Sequence, residues 1–122
     1  MVRRFDRHPF RVELENLDDD VALLSVTGEA DMATVPRVEA AADTAFYAGT
    51  GTLVIDLLAC DFLDSTGLRF LLAARGRFTT VALVPPSEGP VAKLLALTVS
   101  GLFNTFTTRE AAVDAVSSKL AA

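Results

Sequence analysis

The chain is organised around the segment from Thr52 to Phe78, which reads TLVIDLLACDFLDSTGLRFLLAARGRF. Its first part, around Leu53 to Leu57, is a nearly continuous apolar run, which is typical of a strand covered on both faces. Beyond Leu58 the apolar residues recur at helical spacing, and we expect a helix from near Ser65 whose inner side is formed by Leu68, Leu71, Leu72 and Phe78, widened by Phe70 and Ala74. Asp64-Ser65-Thr66-Gly67 stands at the junction and places a hydroxyl in the first helical turn.

The residues before this stretch predict two strands and a helix. Phe10 to Glu15 alternates apolar and charged residues, which indicates an edge strand with one wet face. Val21 to Thr27 is a second strand, and the short connection favours antiparallel pairing. Gly28 to Asp31 then ends that strand, and Asp31 or Thr34 caps the following helix.

The residues after it continue the alternation of strands and helices. Thr79 to Val84 predicts a buried strand, Pro85 to Pro90 a loop, and Phe103 to Phe106 a brief strand between two further helices. This order implies crossover connections. We therefore expect an α/β fold in a single domain over residues 1–122, with a polar segment at 1–9. Its mixed, mostly parallel sheet would have about five strands with about four helices.

Three predicted loops follow the carboxyl ends of parallel strands, where functional residues gather in such sheets. They are Gly28 to Thr34, Leu58 to Ser65, and Pro85 to Glu88. The first two would bring four polar residues to one edge although they are distant in sequence: Asp31, Asp61, Asp64 and Ser65.

The composition excludes several classes of function. The 122 residues are 51% hydrophobic with seven glycines and five prolines, which indicates a packed core rather than disorder. A net charge of -5 argues against direct nucleic-acid binding. Apolar runs too short for a bilayer and the lack of a signal-peptide pattern predict no membrane association. The single cysteine, Cys60, agrees with a reducing compartment, so we expect a cytoplasmic protein.

The sequence also argues against an enzyme. Ser65 as an acyl-transfer nucleophile would need a base, and the one histidine, His8, lies in a polar segment. No Gly-x-Ser-x-Gly elbow and no phosphate-binding glycine loop follows a strand, so we expect no cofactor. Asp18 to Asp20 is interpreted as a solvated turn rather than a metal site, and Cys60 as a small packed residue.

Several ordered motifs resemble the STAS family, specifically the bacterial anti-sigma factor antagonists. The likeness extends from about Phe10 to Val116, and the segments that carry it are Gly28-Glu-Ala-Asp31, Leu53-Val-Ile-Asp-Leu57, Phe62-Leu-Asp-Ser-Thr-Gly-Leu68, Ala82-Leu-Val-Pro-Pro-Ser87 and Leu94-Leu-Ala-Leu-Thr98. The sequence departs from the family pattern at Arg69, where many members have glycine, and at Cys60.

This resemblance implies a partner switch that depends on Ser65. An anti-sigma factor with serine kinase activity would phosphorylate Ser65 with ATP, and a separate phosphatase would reset it. The unphosphorylated form would bind the anti-sigma factor and free the sigma factor, and the phosphorylated form would release it. Residues assigned to this switch surface are Asp31, Asp61, Asp64, Ser65, Thr66, Gly67 and Arg69.

Elementary chemistry at Ser65 agrees with that role. A first-turn hydroxyl lies outside the helical hydrogen-bond ladder, and the unpaired N–H groups and dipole of a helix start tolerate phosphate. Other interpretations remain open from the residues alone. Asp64 or Ser65 could be only a helix cap, Thr66 could be the acceptor instead, and Arg69 could be a solvated charge or the rim of a partner surface. A STAS-type module that binds an anion, a small ligand or a scaffold without a phosphorylation cycle is the alternative function.

Overall fold

Five strands and four helices alternate along the chain in this computed structural model, which describes residues 9–99 and 101–121, with side chains to residue 117. His8 and nearly all of the predicted polar segment at 1–9 lie outside the described residues. In chain order the elements are β1 (Arg11–Asn16), β2 (Val21–Ala30), α1 (Val35–Tyr47), β3 (Thr52–Leu63), α2 (Ser65–Arg77), β4 (Thr80–Val84), α3 (Pro90–Thr98), β5 (Asn104–Thr105) and α4 (Arg109–Ala121).

The strands form one sheet in the order β1-β2-β3-β4-β5. β1 pairs antiparallel with β2, and the other three pairs are parallel. This confirms the predicted α/β fold with a mixed, mostly parallel sheet, and it confirms β1 as the antiparallel edge strand.

Side chains of β2, β3 and β4 point alternately to two cores on opposite faces of the sheet. The larger core contains Leu24, Ile55 and Leu83 and packs against α1, α2 and α3. The smaller core contains Leu23, Val54 and Val84 and packs against Ala112 and Val116 of α4. Because both faces are covered, the central strands are apolar at successive positions, which explains the continuous run seen in the sequence.

Strands β2 and β3 extend further than the sequence predicted. The segments expected to be loops after Thr27 and Leu58 instead continue as paired strands, with Gly28 opposite Cys60 and Ala30 opposite Leu63. Two register shifts in this pair break the period of two, and this conceals the strand ends in the sequence. Gly28 does not end the strand: its φ of 95° and the close backbone of Pro9 require glycine within it.

The inner face of α2 is rotated relative to the prediction. Gly67, Phe70, Leu71 and Ala74 are buried, whereas Leu72 is 45% exposed and Leu68 lies at the margin. Phe70 is therefore a core residue. The prediction for Leu72 was wrong because the buried face of α2 includes Gly67, which has no hydrophobic side chain to mark that face in the sequence.

No helix within the described residues is long and apolar enough to cross a bilayer.

Candidate functional site

The start of α2 is fixed by the Asp64 side chain. Asp64 has extended backbone angles and is the N-cap residue, and its Oδ1 accepts the N–H groups of Thr66 at 2.9 Å and Gly67 at 3.2 Å. The Thr66 hydroxyl donates to the same oxygen. Of the two residues that the sequence offered as a cap, Asp64 is the one that caps α2. This cap also corrects the expectation of unpaired N–H groups at this helix start, because Asp64 already occupies two of them.

A turn that follows β2 meets the start of α2 through the same carboxylate. The N–H of Met32 donates to Asp64 Oδ2 at 3.2 Å, and the N–H of Asp64 donates to the carbonyl of Ala30 at 3.2 Å. The ends of β2 and β3 thus lie together at the carboxyl edge of the sheet, as predicted, although more than thirty residues separate them in sequence.

Asp31 stabilises that turn rather than capping α1 directly. Its Oδ1 accepts the N–H groups of Ala33 at 2.9 Å and Thr34 at 3.1 Å, while the Thr34 hydroxyl accepts the N–H of Asp31 at 2.9 Å. Thr34 occupies the N-cap position of α1 but makes no side-chain cap bond. The two residues predicted as alternative caps instead hydrogen-bond to each other. Asp31 is half-buried at the carboxyl edge of the sheet.

Ser65 carries the accessible hydroxyl of the site. It is the first residue of α2, its side chain is exposed, and its Oγ makes no hydrogen bond within the described part of the chain. The neighbouring Thr66 is half-buried and its hydroxyl is bound to Asp64. Of the two candidate acceptors, Ser65 is therefore the one that can be reached without breaking the cap.

Gly67 allows α2 to approach β3 closely. A Cβ atom at this position would lie 2.4 Å from Cδ1 of Leu63, well inside contact distance. Gly67 thus positions the first turn of the helix, which is a structural role for a residue that the family resemblance assigned to the switch surface.

Asp61, near the end of β3, and Arg69, in the second turn of α2, are both exposed. Asp61 falls at a register shift, because Gly28 pairs with Cys60 and the next pair is Glu29 with Phe62. Arg69 lies four residues after Ser65 on α2, so it is on the same side of the helix.

The hydrogen bonds at the start of α2 favour the ionised form of the Asp64 carboxyl. The Thr66 hydroxyl is the main group that holds the pKa of Asp64 below its ordinary value, and the N–H groups of Gly67, Thr66 and Met32 act in the same direction against the opposing effect of burial. Each of these donors stabilises the carboxylate form, so the cap and the charge are linked.

Replacing Asp64 with alanine is expected to lower the free energy of unfolding by about 1 kcal/mol near neutral pH, as for other N-caps. A lowered folded-state pKa means that the charge contributes stability above the unfolded pKa of about 4 and loses it as the pH falls through the folded value. The difference between wild type and Asp64→Ala should therefore narrow below about pH 4. Urea denaturation across this range checks the prediction, and a difference independent of pH would contradict it.

Cys60 is buried in the larger core, in agreement with the interpretation as a packed residue. Its Sγ lies 3.2 Å from the carbonyl oxygen of Phe62, to which the thiol donates. Burial is the main cause that raises the pKa of the Cys60 thiol, and the charge of Asp61 adds to it. The thiol is therefore held protonated and unreactive.

A second polar cluster, which was not predicted from the sequence, lies on the opposite face of the sheet. The carboxylate of Asp56 in β3 is buried, and Arg109 at the start of α4 contacts its Oδ2 at 2.7 and 2.8 Å. The other oxygen accepts the N–H of Leu58 at 2.9 Å, and Arg109 also reaches the Ser25 hydroxyl at 3.2 Å. This cluster joins α4 to the sheet and is separate from the Ser65 edge.

A shallow cavity of about 250 Å³ adjoins the Ser65 edge between β3 and the loop before α3. The charged residues in its lining are Asp61 and Glu88, both acidic. No group of three acidic, histidine or cysteine side chains suited to a metal ion occurs among the residues that the structure describes.

A family model described as "Mlab, STAS domain" matches residues 14–102, which is most of the chain. The chain belongs to the STAS domain family. This confirms the resemblance seen in the sequence. No curated protein matches the chain.

Solved structures of anti-sigma factor antagonists share the fold. An anti-sigma factor antagonist from Mycobacterium paratuberculosis is 33% identical with a TM-score of 0.79, over 88% of this chain and 94% of that chain. The unphosphorylated form of the anti-sigma factor antagonist SpoIIAA is 23% identical with a TM-score of 0.77, over 88% and 97%. The phosphorylated form of SpoIIAA from Bacillus is 22% identical with a TM-score of 0.68, over 87% and 99%. The two SpoIIAA structures support the fold alone.

Proposed function

We propose that this STAS domain is an anti-sigma factor antagonist whose binding is switched by phosphorylation of Ser65. The observation that carries the proposal is the exposed Ser65 hydroxyl, which has no hydrogen-bond partner among the described residues, at a helix start where the adjacent Thr66 hydroxyl is bound to Asp64. The similarity to the mycobacterial antagonist supports the choice of partner class. In this proposal the protein acts in the cytoplasm, where sigma factors work, and has no catalytic activity of its own.

The chemical step belongs to the partner. A serine kinase activity of the anti-sigma factor transfers the γ-phosphoryl group of ATP to Ser65 Oγ, which loses its proton, and ADP leaves. Hydrolysis by a separate phosphatase returns the hydroxyl and releases inorganic phosphate. The antagonist contributes a hydroxyl that protrudes from a rigid helix start and a surface that the kinase can recognise.

The charge of the phosphate is large enough to drive release. Phosphate adds about -1.5 to -2 charges at the edge of the sheet where β2 and β3 end, which already carries Asp31, Asp61 and Asp64. A partner carboxylate at ~8 Å, with an effective dielectric constant of ~40, would be repelled by about 2 kcal/mol. This corresponds to roughly thirty-fold in affinity, without any rearrangement of the fold.

The alternative of an anion-binding module has less support. The N–H groups of Thr66 and Gly67, which would receive an anion at this helix start, are occupied by Asp64. The adjoining cavity carries Asp61 and Glu88, whose charges oppose an anion.

Phosphosite mapping tests the proposed function. The full chain is incubated with each candidate anti-sigma kinase and ATP, and the product is analysed by mass spectrometry. We expect one phosphate, on Ser65, and none in the reaction without kinase, where ATP should also remain unhydrolysed. Modification of Thr66 alone, or no modification by any candidate kinase, would overturn the proposal.

Asp31→Asn tests whether Asp31 and Ser65 belong to one surface that the kinase or the anti-sigma factor contacts. The asparagine Oδ1 can still accept the N–H groups of Ala33 and Thr34, so the turn and the fold should be retained. Loss of one negative charge near Ser65 should change the rate of phosphorylation or the partner affinity by a few-fold. Kinase assays and calorimetry measure both quantities. Unchanged values in a folded variant would restrict Asp31 to its structural role.

A further inference from the structure

Arg69 is the arginine of α2 that lies closest in sequence to the proposed switch residue. It is exposed, and it makes no ion pair or hydrogen bond among the residues that the structure describes. The other arginines of the helices are engaged: Arg37 lies over the Phe10 ring, Arg75 donates to the Leu102 carbonyl, Arg77 pairs with Asp43, and Arg109 pairs with Asp56.

Most N–H groups at the start of α2 are already engaged and are not free to receive a phosphate on Ser65. Asp64 Oδ1 accepts the N–H groups of Thr66 and Gly67, and the carbonyl of Asp64 accepts the N–H of Leu68 at 3.1 Å. A phosphate that displaced the Asp64 carboxylate would dismantle the cap and its link to Met32. The dianion therefore needs another positively charged or donor group.

Arg69 stands where such a group is required. Residues four apart on a helix have their Cβ atoms about 5–6 Å from each other, and an acid placed N-terminal to a base is the favourable order. A guanidinium offers parallel N–H donors that fit phosphate oxygens in a bidentate manner. The long, exposed side chain of Arg69 can reach back over one turn of α2 to the Ser65 position.

We propose that Arg69 receives the phosphate of phosphorylated Ser65 in an ion pair along α2. The proposal rests on the phosphorylation of Ser65 proposed above. The pair draws the phosphate over the helix surface, away from the Asp31 and Asp64 carboxylates. It also removes Arg69 from any partner carboxylate that it meets in the unphosphorylated state. Phosphorylation then changes the surface twice, since it adds an anion and sequesters a cation.

A phosphate titration tests this pairing without any kinase or partner. Phosphoserine is incorporated at position 65 of the full chain during translation, and phosphorus NMR follows the second ionisation of the phosphate. An arginine ion pair favours the dianion, so the midpoint should lie about 0.5 pH units lower in the otherwise wild-type chain than in Arg69→Gln. Arg69→Lys should fall between them because a lysine lacks the bidentate geometry.

Two controls separate pairing from general charge effects. Lys93→Gln removes one exposed positive charge from α3 and should leave the midpoint where it is in wild type. Salt at about 1 M should reduce the difference between wild type and Arg69→Gln, because the pair is exposed. Equal midpoints in wild type and Arg69→Gln, or an equal rise in Lys93→Gln, would overturn the proposal. Failure of the proposed function would appear separately, in the phosphosite mapping.

Discussion

Replacing Ser65 with alanine is expected to leave the protein folded and permanently able to bind its anti-sigma factor. Alanine fits the first turn of a helix, and Asp64 remains as the cap because its bonds go to Thr66, Gly67 and Met32 rather than to Ser65. Phosphorylated wild type should bind about thirty-fold more weakly than unphosphorylated wild type, from charge repulsion alone. The Ser65→Ala variant should keep the tighter affinity after treatment with kinase and ATP.

Calorimetric titration against the anti-sigma factor measures these affinities. Ser65→Asp should bind more weakly than wild type but more tightly than the phosphorylated form, because a single carboxylate carries less charge than phosphate. Thr66→Ala is the matched control for the adjacent hydroxyl: it should still be phosphorylated, with some loss of stability since Thr66 donates to Asp64. If Ser65→Ala were still phosphorylated and released, Ser65 would not be the switch.

The sequence predicts the order and type of the elements well because hydrophobic periodicity reports burial directly. The edge strand β1, the buried strand β3 and the capped start of α2 all follow from local patterns. The same patterns place Asp31 and Asp64 at one edge, since the carboxyl ends of neighbouring parallel strands coincide. That inference needed no knowledge of side-chain contacts, and the bond from Met32 to Asp64 bears it out.

Features that depend on contacts between residues distant in the chain could not be predicted from the sequence. The outer ends of β2 and β3 carry register shifts, which remove the alternation by which a strand is recognised. The orientation of α2 depends on Gly67 lying against Leu63, and glycine has no side chain to signal burial. Occupation of the helix-start N–H groups by Asp64 changes the chemistry expected for a phosphate there, although the cap itself was predicted.

The pair between Asp56 and Arg109 shows the same limit most clearly, because its members lie 53 positions apart. Nothing near Asp56 in the sequence distinguishes a buried carboxylate from one at a strand end. Its burial becomes explicable only once α4 covers that face of the sheet and brings a guanidinium to it, since a buried carboxylate without a partner is costly.

Removing the Arg109 side chain is expected to lower the free energy of unfolding by about 2 kcal/mol. Breaking a fully buried pair typically costs about 3–5 kcal/mol, because the remaining charge is left without compensation. The Asp56 side chain is 5% exposed but that of Arg109 is 44% exposed, so water reaches one end of the pair and reduces the cost. Urea denaturation of wild type and Arg109→Ala measures the difference in the free energy of unfolding. Faster amide hydrogen exchange in α4 of the variant would show that α4 opens before the rest of the fold.

Asp43→Ala is the matched control, since it breaks the exposed ion pair with Arg77. The side chain of Arg77 is 34% exposed and that of Asp43 is 48% exposed. Asp43→Ala should lower the free energy of unfolding by less than about 1 kcal/mol, as for other surface pairs. Combining Asp56→Asn with Arg109→Ala should recover part of the stability lost in Arg109→Ala, because an amide can still accept the N–H of Leu58 and no buried charge remains. An Arg109→Ala variant no less stable than Asp43→Ala would mean that α4 is held by apolar packing of Ala112 and Val116 alone.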